Sequence, residues 1–226
     1  MARLTRQQKQ AHTRSCLMHS AAQVFARRGL QQASIDEVAE GAGFTKGAFY
    51  ANFKNKEELF LAMLDERFAQ RVEEIERLIA GEGTTSEKAQ RAGDDFTRML
   101  TADPQWQRLF FEFSAYAVRN DEFREELVTR YRWMRDRIAA ALQARAEEFG
   151  LHWVLPSDQV ATITCAMANG VALEKLLEGD AISDQLFGTM LIVFFAGLRA
   201  LSEGGSPQST SAWTTSTAAG LALRTS

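Results

Sequence analysis

Thr45, Lys46 and Gly47, followed by Tyr50, Asn52 and Lys56, place polar and cationic groups along one short helix and at the start of the next. That set suits contact with a nucleic acid. A lysine offers a charged donor to guanine or to phosphate. A glycine has no side chain, so the backbone there can approach a duplex closely. Tyr50 and Asn52 have polar tips that can reach phosphates. Lys56 falls at the N-terminus of a following helix, where free N–H groups already favour an anion. Ser34 stands at the same place on a preceding helix. Phe49 and Phe53 are spaced to hold the middle helix onto a core.

Other chemistry is poorly supported. His12, Cys16 and His19 lie at i, i+4 and i+7 of one helix face. Histidine and cysteine at that spacing can bind zinc, but a structural site takes four ligands and only three are visible. No metal is expected, and His152 is isolated. The chain has no Gly-x-Ser-x-Gly elbow, no phosphate-binding Gly-Lys loop and no His-Glu-x-x-His. Neither an enzyme nor a cofactor is expected. Two cysteines, Cys16 and Cys165, argue against a disulfide-stapled fold. No apolar stretch of signal-peptide length precedes Gln23. The longest apolar segment, 186–198, is interrupted by Gly188 and Thr189 and falls short of the roughly 20 residues that span a bilayer. A soluble cytoplasmic protein with no membrane partner is expected.

The net charge of −3 hides an asymmetry. Residues 1–56 carry nine Lys and Arg against three Asp and Glu, a balance of +6, which leaves −9 for the rest. A basic segment on an acidic body suits phosphate binding; an ordinary solvated basic face would look alike. Only three prolines interrupt the 226 residues, and apolar residues recur at helical spacing almost throughout. An all-α fold follows, with helices over about 7–28, 35–41, 45–52, 56–80, 86–101, 104–119, 122–149, 157–177 and 184–202. Gly29 is read as the stop of the first helix. Ser34 with Glu37 forms a capping box, Gly43 takes the tight turn, and Thr45 and Asn55 cap the helices after them. Asp103-Pro104 is a cap followed by proline at the first helical position. Three domains are expected: 1–56, an N-terminal three-helix helix-turn-helix head; 57–203, a larger helical body joined by a long helix; and 204–226, a Gly-, Ser- and Thr-rich disordered tail. Trp213 in that tail has no reading.

Two short helices joined by a glycine turn after a longer helix make a helix-turn-helix, although capping boxes and glycine turns also build hairpins with no DNA role. The chain around them resembles the TetR/AcrR family. Ala42-Gly43-Phe44-Thr45-Lys46-Gly47, the Tyr50 and Phe53 pair, Lys56-Glu57-Glu58-Leu59 and, upstream, Phe25-Ala26-Arg27-Arg28-Gly29 carry the resemblance, over roughly residues 14–64. It implies a homodimer on a palindromic double-stranded operator, usually released by a small molecule. By position it carries DNA contact onto Ser34, Thr45, Lys46, Gly47, Tyr50, Asn52 and Lys56. Asn52 departs from the aromatic or histidine of many relatives. The expected function is a DNA-binding transcriptional regulator, a repressor released from its operator by a hydrophobic or amphipathic small molecule; a regulator of the same fold that activates, or answers to a protein partner, is the alternative.

In the body, Trp106, Leu109, Phe110, Phe113 and Ala117 fall on one face of their helix, with Phe111 and Ala115 nearly opposite. A helix apolar on two sides needs two covers, a core and either more core or a pocket. Met63, Phe96, Met99, Leu100, Tyr131, Met134, Ile138 and Met167 on neighbouring helices suit an adaptable apolar pocket for a hydrophobic effector. Glu112, Tyr116 and Asn169 are the candidates to orient it. The dimer seam is expected on the last two helices. Ala161, Cys165, Ala168 and Ala172 make a small-residue stripe, and Leu186, Met190, Val193, Phe194, Gly197 and Leu201 an apolar one.

Overall fold

The computed structural model describes residues 5–149 and 153–203. His152, Trp213 and the expected tail lie outside the described residues. Within them the chain is helical, with no strand: α1 (Arg6–Gln32), α2 (Ile35–Gly41), α3 (Lys46–Tyr50), α4 (Lys56–Ala80), α5 (Thr85–Ala102), α6 (Pro104–Ala117), α7 (Asp121–Glu148), α8 (Ser157–Glu178) and α9 (Leu186–Ser202), with a short 3-10 turn at Gly179–Ala181.

Side chains one turn away set most of the helix starts. Thr5 and Gln8, Ser34 and Glu37, and Thr84 and Glu87 close capping boxes on α1, α2 and α5. Thr45, Asn55 and Asp103 cap α3, α4 and α6. Each cap gives an acceptor to an N–H that the helix cannot satisfy itself. Gly43 takes φ 74° in the turn between α2 and α3. Gly29, at φ 72°, does not end α1 as expected from its sequence; the chain kinks there and resumes one more helical turn to Gln32.

Three apolar clusters hold the chain together. The first runs without a break from the N-terminal helices into the body. It joins Leu17, Val24 and Phe25 of α1 to Phe49, Phe53 and Phe60, then to Leu109, Phe113 and Phe123. Phe113 of α6 stacks on Phe60 with ring centroids 3.4 Å apart and meets the edge of Phe25 at 5.8 Å. The second cluster joins Phe96 and Leu100 of α5 to Val171, Ala172, Phe187 and Leu191. Here α5 and α9 cross at two glycines, for a Cβ on Gly93 would lie 2.5 Å from the Gly188 Cα. The third joins Val72, Met134, Ile138 and Ala161.

The small-residue stripe on α8 faces inward, contrary to its expected place in a seam. Ala161 and Ala172 are buried in the third and second clusters, and Cys165 and Ala168 pack against the same two. Small side chains here let α8 lie close to its own neighbours. The exposed line of α8 is Ala166, Gly170, Leu173 and Leu177. On α9, Leu186 and Met190 pack on the second cluster, Phe194 is half-buried against Phe195, and Val193, Gly197 and Leu201 are exposed. The stretch Ser157–Ala181 is long and apolar enough, by length and composition only, to cross a bilayer, and 22% of its most apolar window is buried in the chain, the rest being half-buried or exposed. It is longer than 186–198, the longest apolar segment expected from the sequence.

Candidate nucleic-acid interface and body sites

The expected recognition element, α3, is anchored from below. Phe49 and Phe53 are fully buried beneath it. The guanidinium of Arg14 lies 4.2 Å from the Phe53 ring and donates to the Asn52 carbonyl at 2.9 Å. In the sequence Arg14 shows only as charge, because a partner 38 positions away leaves no local pattern.

Above that anchor, Thr45, Lys46, Gly47 and Tyr50 are exposed together. The Thr45 hydroxyl oxygen accepts from the Ala48 N–H at 3.2 Å. The Lys46 ammonium donates to the Asp36 carboxylate at 2.8 Å, and that bond raises its pKa. It stays cationic under any ordinary condition, held at the α2 end of α3. A Cβ added to Gly47 would meet only the Thr45 hydroxyl, at an ordinary 3.7 Å. Nothing inside the protein therefore demands glycine there.

Three other expected contacts are engaged within the chain. The Ser34 hydroxyl oxygen accepts from Glu37 N at 3.1 Å, and the Ser34 N–H returns the bond to the Glu37 carboxylate, holding its pKa low. Asn52 turns back on its own helix: Nδ2 donates to the Ala48 carbonyl at 2.8 Å, and Oδ1 is buried without a partner among the described residues. The Lys56 ammonium donates to the carbonyls of Leu30, Gln31 and Ala33 at 2.7, 3.4 and 2.9 Å. Its three hydrogens are used, so a phosphate contact would require it to release one. Its first role is to hold the end of α1 against α4.

The body residues divide among the three clusters. Met63 and Phe110 are buried in the first and Trp106 packs on it; Phe96 and Leu100 belong to the second, with Met99 and Met167 against it; Met134 and Ile138 belong to the third. Phe111 touches the first and second, and Tyr131 the first and third. Asn169 Nδ2 donates to the Tyr131 hydroxyl at 3.1 Å. Burial pushes the Tyr131 hydroxyl up to about 12 and the Cys165 thiol up to about 11, so both stay neutral. Ala115 is exposed, away from this junction. Glu112 and Tyr116 turn to α1 and α4 rather than to the junction. An open surface groove of about 490 Å³ lies between α4 and α5, with charged walls that include Glu74, Arg77, Arg91, Asp94, Asp95 and Arg98.

Comparison with known proteins decides the lineage. Residues 17–63 match the family model "Bacterial regulatory proteins, tetR family", and residues 85–191 match "BetI-type transcriptional repressor, C-terminal". The chain belongs to the TetR/AcrR family. Among its relatives, the transcriptional activator FasR of Mycolicibacterium smegmatis is 31% identical over 99 residues, which cover 44% of this chain and 45% of FasR. The match thus spans less than half of that relative. Salmonella enterica GusR has the same fold at TM-score 0.71 and 21% identity, over 88% of this TetR/AcrR chain and 99% of GusR. The regulator FadR from Bacillus subtilis, in complex with stearoyl-CoA, follows at TM-score 0.62 and 19% identity, over 84% and 98% of the two chains.

Proposed function

We propose that this TetR/AcrR protein is a dimeric cytoplasmic repressor that binds a palindromic operator and is released by a hydrophobic or amphipathic small molecule. Residues 1–56 act as the DNA-binding head and 57–203 as the body. The observation that carries the reading is the exposed row Thr45, Lys46, Gly47 and Tyr50 on a helix anchored by buried Phe49 and Phe53. A rigid helix with polar, cationic and side-chain-free positions outward is what major-groove docking needs. Selection of bound duplexes from a random pool tests it. The expected result is an enriched palindrome; enrichment of no sequence contradicts it.

Dimerisation is supported by the apolar outer face of α8 and α9, where Leu177 and Val193 are 71% and 67% exposed. A two-fold bundle of these helices would cover it. The effector is placed at the junction of the three clusters, around Phe111, Tyr131, Met134, Met167 and Asn169. Three separately packed clusters can part there with less loss than one continuous core, and the Tyr131–Asn169 pair offers polar atoms to one end of a guest. The stearoyl-CoA bound to FadR suggests a long apolar tail with a polar head. FasR is named an activator, which keeps activation as the second reading. Transcription from the selected operator, measured with and without the protein, separates the two.

A further inference from the structure

Glu112 and Tyr116 stand one helical turn apart on α6, on the side that faces α1 and α4. Glu112 Oε1 accepts from the Leu30 N–H at 2.5 Å. Leu30 opens the extra turn that follows the Gly29 kink, and a restarted turn begins with N–H groups that need acceptors. A Cβ on Gly29 would lie 2.9 and 3.3 Å from the two oxygens of the same carboxylate. At the far end of this turn, Lys56 caps the Leu30 and Ala33 carbonyls. One turn of helix is thus held by an anion at its start and a cation at its end, the order the helix dipole favours. The anion comes from α6 and the cation from α4. Tyr116 makes a second polar tie: its hydroxyl donates to Glu57 Oε1 at 3.3 Å and accepts from Asn120 Nδ2 at 3.1 Å.

Between these ties lies the Phe113 stack on Phe60. Apolar contact is non-directional and tolerates sliding. A hydrogen bond fixes distance and angle. We propose that Glu112 is a positioning residue: its bond to Leu30, seconded by Tyr116 on Glu57, fixes how the head sits on α6 and so sets the half-site spacing that the dimer reads. The inference rests on the DNA-binding reading above. Head orientation decides whether two recognition helices meet successive major grooves.

The test uses the full-length protein and the selected duplex, with zero, one or two base pairs inserted between the half-sites. Wild type should lose affinity steeply on insertion. Glu112→Ala should discriminate among the three duplexes about tenfold less, as expected for the loss of a charged hydrogen bond. Glu112→Asp keeps the charge but is one methylene short, and should behave like Glu112→Ala. Glu112→Gln keeps an acceptor oxygen at the right reach and should restore most of the discrimination. A merely structural carboxylate would not produce that order. Hydrogen exchange should quicken in residues 29–33 of the Ala and Asp variants, while residues 46–53 keep wild-type protection and show that the head is folded. Spacing discrimination unchanged in the Ala and Asp variants overturns the inference alone. A wild-type protein that enriches no duplex overturns the DNA-binding reading and this inference with it.

Discussion

Gly47 is where the needs of the free protein and of a DNA complex part. Its Cβ position is open, and alanine is the better helix former. Gly47→Ala should therefore leave the melting temperature unchanged or slightly higher, by calorimetry, while operator affinity falls at least tenfold because a methyl stands between backbone and duplex. Equal affinity would mean that α3 does not approach DNA at this residue. Lys46→Ala should also weaken binding and relax base preference, with a salt slope smaller by roughly one unit. Deeper in the body, the Cys165 thiol has a pKa raised from 9.0 to about 11 by burial. Deprotonation therefore costs the fold, and stability should decline as pH rises from about 9 towards 11. Alkylation of Cys165 by iodoacetamide at pH 8 should run about a hundredfold slower than in the unfolded chain, since the thiolate is the nucleophile. Equal rates would place Cys165 in water rather than against the third cluster. Ser34 and Thr45 were legible in the sequence because a cap and its target lie three residues apart. The partners of Glu112 and Lys56 were not, because they lie 82 and 26 residues away and depend on how helices assemble.

At the scale of elements, periodicity placed all nine of the described helices to within a few residues, and the glycines are instructive. Gly29 carries the positive φ of a C-terminal stop, yet Glu112 and Lys56 supply partners for one more turn. Gly93 and Gly188 carry no local signal, and only their meeting explains them. Helices α8 and α9 were harder still. A helix apolar nearly all round gives no sign of which side faces its own body. The stripe 161, 165, 168 and 172 was read as outward and packs inward, which leaves Leu173, Leu177 and Val193 on the surface. Val193→Glu should then yield a folded monomer, since the residue is exposed in the single chain and would meet a desolvated partner only in the dimer. Sedimentation of the variant as a dimer with wild-type affinity would remove this face from the seam. Phe194 is half-buried on the same helix, and Phe194→Glu should weaken the dimer in the same assay.

At the scale of the molecule, head and body share one apolar cluster, so a change at the junction of Phe111 and Tyr131 can reach the head through α6 and α4. Stearoyl-CoA is a reasonable first probe. If it binds there, operator must weaken it by the same factor by which it weakens operator, typically about 5- to 150-fold. Met134→Trp should lower its affinity in calorimetry and leave ligand-free DNA binding intact. Equal affinity of the probe with and without operator would remove it as a releasing effector. DNA binding underlies each of these effects. Its most direct test is titration of the selected duplex with full-length protein, followed by fluorescence anisotropy at low and moderate salt. The prediction is saturation at two chains per duplex, with affinity falling on the order of a thousandfold between about 50 and 200 mM salt as phosphate contacts from both heads release counterions. Binding that does not saturate, or affinity indifferent to salt, would contradict it.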